Sequence, residues 1–156
     1  MIPFQITILL FIIFINDIVN ETTCEKLIFA DDLKLFIEVH SARDCDILQH
    51  NLNRLLDWCK LNNLTLNKDK CFVMSFTRKN TPITFSYNIE GFILQRKNKI
   101  RDLGINFDSK FSFLDHINDI IAKGYKMYGF VYRNCKNFYN TKTLCNLYYA
   151  LIRSKL

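Results

Sequence analysis

Asp31 and Asp32 are adjacent carboxylates between two apolar, strand-like runs, and they are the side chains best suited to chemistry. Lys26-Leu27-Ile28-Phe29-Ala30 leads in and Leu33-Lys34-Leu35-Phe36-Ile37-Glu38 leads out. The outgoing run alternates, with Leu33, Leu35 and Ile37 on one face and Lys34, Phe36 and Glu38 on the other, as a strand does. Two strands joined at this point put both acids at the tip of a hairpin, where their repulsion is relieved by solvent or by a cation. Hard oxygen donors of this kind suit Mg²⁺, which takes one or two protein carboxylates together with phosphate oxygens. Two-metal phosphoryl and nucleotidyl transfer is built on carboxylates held this way. A solvated acidic turn is the plainer alternative, since Asp is common in turns.

Several elements must position that tip. Ser41-Ala42-Arg43-Asp44 has the form of a helix start. Cys45, Leu48, Leu52, Leu55 and Cys59 then recur at helical spacing, which predicts an amphipathic helix over Asp44 to Leu61 that stops at Asn62-Asn63. A charged turn through Lys68, Asp69 and Lys70 leads to a predicted strand from Cys71 to Phe76. A hairpin is expected to pair Thr84–Ile89 with Phe92–Gln95 through Glu90-Gly91. The basic stretch Arg96 to Arg101 precedes one more strand, Leu103–Phe107. From Ser112, spaced from Asp115 as in a capping box, the pattern turns helical. Ile117, Ile120, Ile121, Gly124, Tyr128 and Val131 form a stripe expected to pack. Asn140-Thr141 caps a last helix with Leu144, Leu147, Tyr148, Leu151 and Ile152 on its apolar face; that pattern runs to the last residue, as in a truncated chain. Strands around one long helix, then helices, give an α+β class.

Composition bounds the possibilities. The chain has 156 residues, 49% of them hydrophobic, with fourteen Phe and few Gly or Pro, which argues for a packed core and against repeats or flexible linkers. Residues 1–95 carry 9 basic and 11 acidic side chains; residues 96–156 carry 12 and 4. A back half of charge +8 suits a polyanion. The aromatics Tyr125, Tyr128, Tyr132 and Phe138 are interleaved with that charge. The six cysteines show no C-x-x-C pair and no zinc spacing with His40, His50 or His116, consistent with free thiols in a reducing, intracellular compartment (nucleus or cytoplasm). The apolar opening, Met1 to Ile15, is shorter than the roughly 18–20 residues a membrane span requires, and it lacks the basic start and cleavage site of a signal peptide. A core helix or strand pair is expected there, with a membrane-associated segment as the alternative.

Five segments in order carry a family resemblance: Phe11-Ile12-Ile13-Phe14-Ile15-Asn16-Asp17-Ile18; Phe29-Ala30-Asp31-Asp32; Leu55-Leu56-Asp57-Trp58-Cys59; Leu64-Thr65-Leu66-Asn67-Lys68-Asp69-Lys70-Cys71; and Asp102-Leu103-Gly104-Ile105. Each is weak alone; their order and spacing are specific. Together they resemble the C-terminal portion of the reverse transcriptase of a non-LTR (LINE-type) retrotransposon, over roughly residues 8–156. The resemblance implies a partial polymerase palm over residues 1–111 and the beginning of a helical thumb over 112–156. It makes Asp31 the principal catalytic-metal ligand, with Asp32 a secondary carboxylate at the same Mg²⁺ site, and sets the Asp44–Leu61 helix behind their hairpin. Lys70 matches a lysine thought to assist the leaving pyrophosphate, a role open to a protonated amine; a solvated loop lysine is the alternative. Leu103-Gly104 matches the primer-grip turn, and Lys123, Lys126 and Arg133 are placed to hold phosphates of a template–primer duplex in a salt-dependent way. The implied partners are an RNA template, a DNA primer and deoxynucleoside triphosphates; no obligate protein partner is evident.

The departures count as much. The family's other metal-binding Asp and its triphosphate-gripping residues precede this region, and Pro3-Phe4-Gln5-Ile6 keeps only part of the family's Pro-Gln-Gly loop. Asp17 and Glu38 have no spacing that would make either a substitute. The expectation is an RNA-directed DNA polymerase fragment that is inactive alone. A non-catalytic nucleic-acid-binding remnant and a small membrane-associated protein are the alternatives.

Overall fold

A computed structural model describes residues 4–156, with side chains from Leu9 onward. Pro3 of the degenerate loop, and the side chains of Phe4, Gln5 and Ile6, therefore lie outside the described residues. The chain divides into two compact units. One comprises the residues up to Val73 together with Lys79–Lys97; the other comprises Met74–Arg78 and Asn98–Leu156.

The first unit opens with α1 (Phe4–Asn16), which runs into a 3₁₀ turn (Asp17–Asn20). A hairpin of β1 (Glu25–Phe29) and β2 (Asp32–Phe36) follows, and then α2 (Ala42–Leu61). The start of α2 agrees with the sequence pattern to within two residues. Asp44 Oδ2 accepts from the backbone N–H groups of His40 (2.9 Å) and Ser41 (2.8 Å), completing the capping box. These donors, His40 N–H first, hold the Asp44 carboxyl below the ordinary range. The helix ends in a Schellman turn: Asn63 is left-handed at φ 54°, and Leu64 N–H donates to the Cys59 carbonyl at 2.8 Å. Ile15, Ile18, Leu55, Trp58 and Cys59 form the core, with Phe11, Ile28, Leu33, Leu35, Leu52, Leu64 and Leu66 packed around them.

α1 is a helix and not a strand pair, and only part of it is core. Leu9, Leu10, Ile12 and Ile13 are exposed, because a helix apolar on all sides turns only one stripe toward α2. Among the described residues no helix is long and apolar enough to cross a membrane.

After α2 come a 3₁₀ turn (Lys68–Lys70) and the short β3 (Phe72–Val73), β4 (Asn88–Ile89), β5 (Phe92–Ile93) and β6 (Gln95–Arg96). The expected Cys71–Phe76 strand shrinks to two residues. The expected Thr84–Gln95 hairpin keeps its Glu90-Gly91 turn but pairs only Asn88–Ile89 with Phe92–Ile93. Gln95 and Arg96 leave that hairpin to run parallel with β3. The described strands thus form four two-stranded pairs and no continuous sheet.

In the second unit β7 (Lys99–Asp102) and β8 (Ile105–Asp108) form a hairpin, followed by α3 (Leu114–Asn134), α4 (Thr141–Leu147), a π turn (Tyr148–Ile152) and a closing 3₁₀ turn. The predicted Leu103–Phe107 strand is displaced. Leu103-Gly104 is the hairpin turn, and its first strand, Lys99–Asp102, overlaps the end of the basic stretch. Phe76 stacks on Phe111 at 4.2 Å, and Phe107 meets Phe113 edge-on at 5.6 Å, so aromatic contacts join the Met74–Arg78 segment to this unit.

Candidate functional site

The two acids lie at a hairpin tip. Phe29 pairs with Asp32, which leaves Ala30-Asp31 as a two-residue turn. Ala30 carries the left-handed conformation, φ 53°, that such turns need at their first position. Period-two alternation divides the hairpin. Ile28 opposite Leu33 and Lys26 opposite Leu35 face the core side; Leu27 opposite Lys34 and Phe29 opposite Asp32 face the open side. Leu27 and Phe29 are 59% and 61% exposed, so Asp32 shares an open, partly apolar face, while Asp31 projects from the turn. Both carboxylates are exposed.

A buried amide anchors the base of this hairpin. Asn51 of α2 is 1% exposed; its Oδ1 accepts from Thr23 N–H (2.6 Å), the Thr23 hydroxyl (3.1 Å) and Cys24 N–H (3.4 Å). Its Nδ2 donates to the Ile47 carbonyl at 2.9 Å, so the side chain is satisfied in both directions. Lys26 Nζ donates to the carbonyls of Val19 (2.5 Å) and Thr22 (2.6 Å), tying β1 to the turn before it. Asn51 was missed in the sequence, although a polar residue on the apolar side of an amphipathic helix was its visible signal. Gln49 similarly holds β4: its amide exchanges two 2.9 Å hydrogen bonds with the Asn88 backbone, as a neighbouring strand would.

The remaining predicted residues occupy other elements. Lys70 ends the 3₁₀ turn and is exposed, whereas Lys68 pairs with Glu90 at 2.8 Å and Lys60 reaches the same carboxylate at 3.1 Å. Hydrogen bonding from Lys68, then Lys60, lowers the Glu90 pKa. Asp17 begins a 3₁₀ turn and Glu38 lies 3.3 Å from His40. Among the described residues no group of three or more His, Cys, Asp or Glu is placed to hold a metal. Two neighbouring hard oxygen donors still suit Mg²⁺, an ion that completes its shell with water and substrate phosphate.

In the second unit the Leu103-Gly104 turn is left-handed at both positions, φ 46° and 87°, as a type I′ turn requires. A Cβ at Gly104 would meet nothing within 4 Å, so its glycine serves the backbone conformation and not a close approach of other groups within this chain. α3 lacks the expected Ser112/Asp115 box, and a carboxylate further upstream organises the turn that leads into it. Asp108, four residues before Ser112, accepts from the N–H groups of Lys110 (2.9 Å), Ser112 (3.1 Å) and Phe113 (2.8 Å) and from the Ser112 hydroxyl (2.9 Å). These donors, Ser112 N–H foremost, hold its pKa at about 2. Asp115 instead forms an ion pair with Lys99.

Lys123 lies 3.8 Å from Asp119, Lys126 is exposed, and the Arg133 guanidinium folds back along α3 over Gly129. Tyr128, expected to pack, is 55% exposed and stacks on Tyr132 at 6.2 Å. Gly124, one turn earlier on the same stripe, is buried, and Leu156 lies against it. All six cysteines are free; burial raises the pKa of Cys24, Cys59 and Cys71, as suits packed thiols.

Comparison with known proteins follows this geometry. The sequence profile described as reverse transcriptase (RNA-dependent DNA polymerase) matches residues 5–107. A Drosophila melanogaster protein named probable RNA-directed DNA polymerase from transposon BS is 31% identical over 103 residues, covering 63% of this chain. The match spans 11% of that relative's length. No solved structure matches.

Proposed function

The chain belongs to the reverse transcriptase (RNA-dependent DNA polymerase) family, and from that membership we propose that it is a fragment of a non-LTR retrotransposon enzyme: part of a palm, residues 1–111, and the start of a thumb, residues 112–156. The parent reaction is RNA-templated addition of deoxynucleotides to the 3′-hydroxyl of a DNA primer. The supporting observation is the Phe29-Ala30-Asp31-Asp32 tip inside the matched segment, with one exposed acid in the two-residue turn and the other at the start of β2.

In that reaction Asp31 and Asp32 would hold Mg²⁺, which would supply charge stabilisation to the transferred phosphoryl group. Asn51 fixes the base of their hairpin, and the Leu33/Leu35 face keeps its other side on the core. Lys70, exposed after α2, serves as proton donor toward the departing phosphate. Leu103-Gly104 offers backbone to the primer end, and Lys123, Lys126 and Arg133 offer charge to phosphates. Two-metal chemistry clamps both the attacking and the leaving oxygen, and Asp31 and Asp32 alone do not provide that clamp. The isolated chain is therefore inactive in synthesis. Its free cysteines suit a reducing, intracellular compartment.

Primer extension with the purified chain, Mg²⁺, an RNA template, a DNA primer and all four deoxynucleotides tests this. The expected result is no extension, with salt-dependent binding of the template–primer. Template-dependent extension abolished by Asp31→Ala overturns the inactivity. No binding at low salt overturns the assignment of nucleic acid as ligand.

A second reading, a non-catalytic nucleic-acid-binding piece, is favoured by one observation: no Asp or Glu follows Asp119, whereas seven Lys or Arg do.

A further inference from the structure

One face of α3 is aromatic and, among the described residues, exposed. Tyr125, Tyr128 and Tyr132 recur at helical spacing and are 73%, 55% and 61% exposed. Residues three and four apart on a helix are surface neighbours, so the three rings form one ladder rising about 5 Å per step. Burial does not explain the ladder: Gly124, one turn before Tyr128, is buried, but the rings that follow it stay more than half exposed.

The cations around the rings are arranged with them. Lys136 Nζ lies 5.8 Å over the Tyr132 ring. At Gly129, between Tyr125, Tyr128 and Tyr132 on the helix surface, a Cβ would come within 3.2 Å of the Arg133 guanidinium. The missing side chain leaves room for that guanidinium to lie back along the helix surface. Lys126 borders the same stripe. From residue 120 to the last residue there are seven basic side chains and no acidic one, and six of the seven tyrosines fall in this stretch.

We propose that this face of α3 binds single-stranded nucleic acid, with bases stacking on Tyr125, Tyr128 and Tyr132 and with Lys126, Arg133 and Lys136 holding its phosphates. Aromatic faces flanked by positive charge recognise unpaired strands, whose bases are free to stack; a duplex keeps its base faces covered and offers mainly backbone and groove edges. An acidic protein partner would use the charge but not the ring faces. The proposal rests on nucleic acid being the ligand of this chain, and it adds which form of nucleic acid and which side chains.

The test uses the whole chain, an RNA oligonucleotide containing 2-aminopurine, and the same sequence as a duplex. Fluorescence anisotropy reads binding, and 2-aminopurine quenching reads stacking. The single strand is expected to bind with quenching. Tyr125→Leu/Tyr132→Leu keeps an apolar, helix-forming surface, so circular dichroism should be unchanged while affinity falls about tenfold or more and quenching is lost. Unchanged quenching in the leucine variant overturns the proposal. So does salt-dependent duplex binding indifferent to the tyrosines, although that outcome leaves the polymerase assignment intact. A dimer in sedimentation that dissociates in Tyr125→Lys/Tyr132→Lys, with no RNA quenching, assigns the face to a second copy instead and overturns it. No binding of either nucleic acid at low salt removes both.

Discussion

The hairpin of the first unit and the helix of the second are held by opposite kinds of chemistry. The β1–β2 hairpin is fixed at its base by the neutral, buried Asn51 amide and along one face by apolar packing. The turn that leads into α3 is held by Asp108, a carboxylate that accepts four hydrogen bonds. A buried amide network is costly to break but blind to pH; a surface carboxylate is replaceable but sensitive to protonation. The element bearing the candidate metal ligands is therefore insulated from acid, and the element bearing the candidate nucleic-acid surface is not.

That contrast can be broken most forcefully at the first unit's core. Trp58→Ala removes a buried ring that packs 5.6 Å from Phe14 and should cost about 3–5 kcal/mol in urea unfolding followed by circular dichroism. Asn51→Ala strands the N–H groups of Thr23 and Cys24 and should cost about 2–3 kcal/mol in the same assay. Its loss should be the same at pH 7 and pH 5. A marked pH dependence would contradict the insulation of the hairpin.

The second unit should answer to acid. The Asp108 pKa is held near 2, below its ordinary 3.8, so its contribution is present above pH 4 and is lost as pH falls toward 2. Protection of the Lys110, Ser112 and Phe113 N–H groups from hydrogen exchange, relative to their intrinsic rates, should fall across that window in the natural chain, and Asp108→Asn should flatten the change. Asp44 at the start of α2 is lowered in the same direction, but the core holds the rest of that helix. The smallest effect belongs to the turns. Leu103→Asn places a residue tolerant of φ 46° before Gly104 and should raise stability by up to about 1 kcal/mol in thermal melts.

The strongly periodic elements were legible in the sequence. Leu48, Leu52 and Leu55 marked α2, Ser41 and Asp44 its start, and Asn63 its stop. The alternation after Asp32 marked the hairpin and the face that it buries. Strands of two to four residues were not legible, because so short a run has no period to read; Lys99–Asp102, with a single aliphatic residue, looked only basic. Ser112 and Asp115 had the right spacing for a cap but lost to Asp108, whose reach across Lys110, Ser112 and Phe113 depends on left-handed Phe111 and Phe113. Tyr128 shares the stripe of buried Gly124 yet lies exposed, because periodicity places side chains on a face without saying how far along it the cover extends. The acids at 31 and 32 were visible as a pair; the amide that secures their hairpin showed only as an oddity in an apolar row.

Ala30 and Asn51 together set a parity rule for this gene. One end of the hairpin is a two-residue loop and the other is clamped to α2, so no slack separates them to absorb a change of length. Inserting a single codon between those points would exchange inside for outside along a strand, sending Leu33 and Leu35 into water and Asp32 toward the core. Inserting two would restore the alternation. Natural length variation in copies of this segment should therefore favour even steps between residues 24 and 36, with odd ones confined to loops.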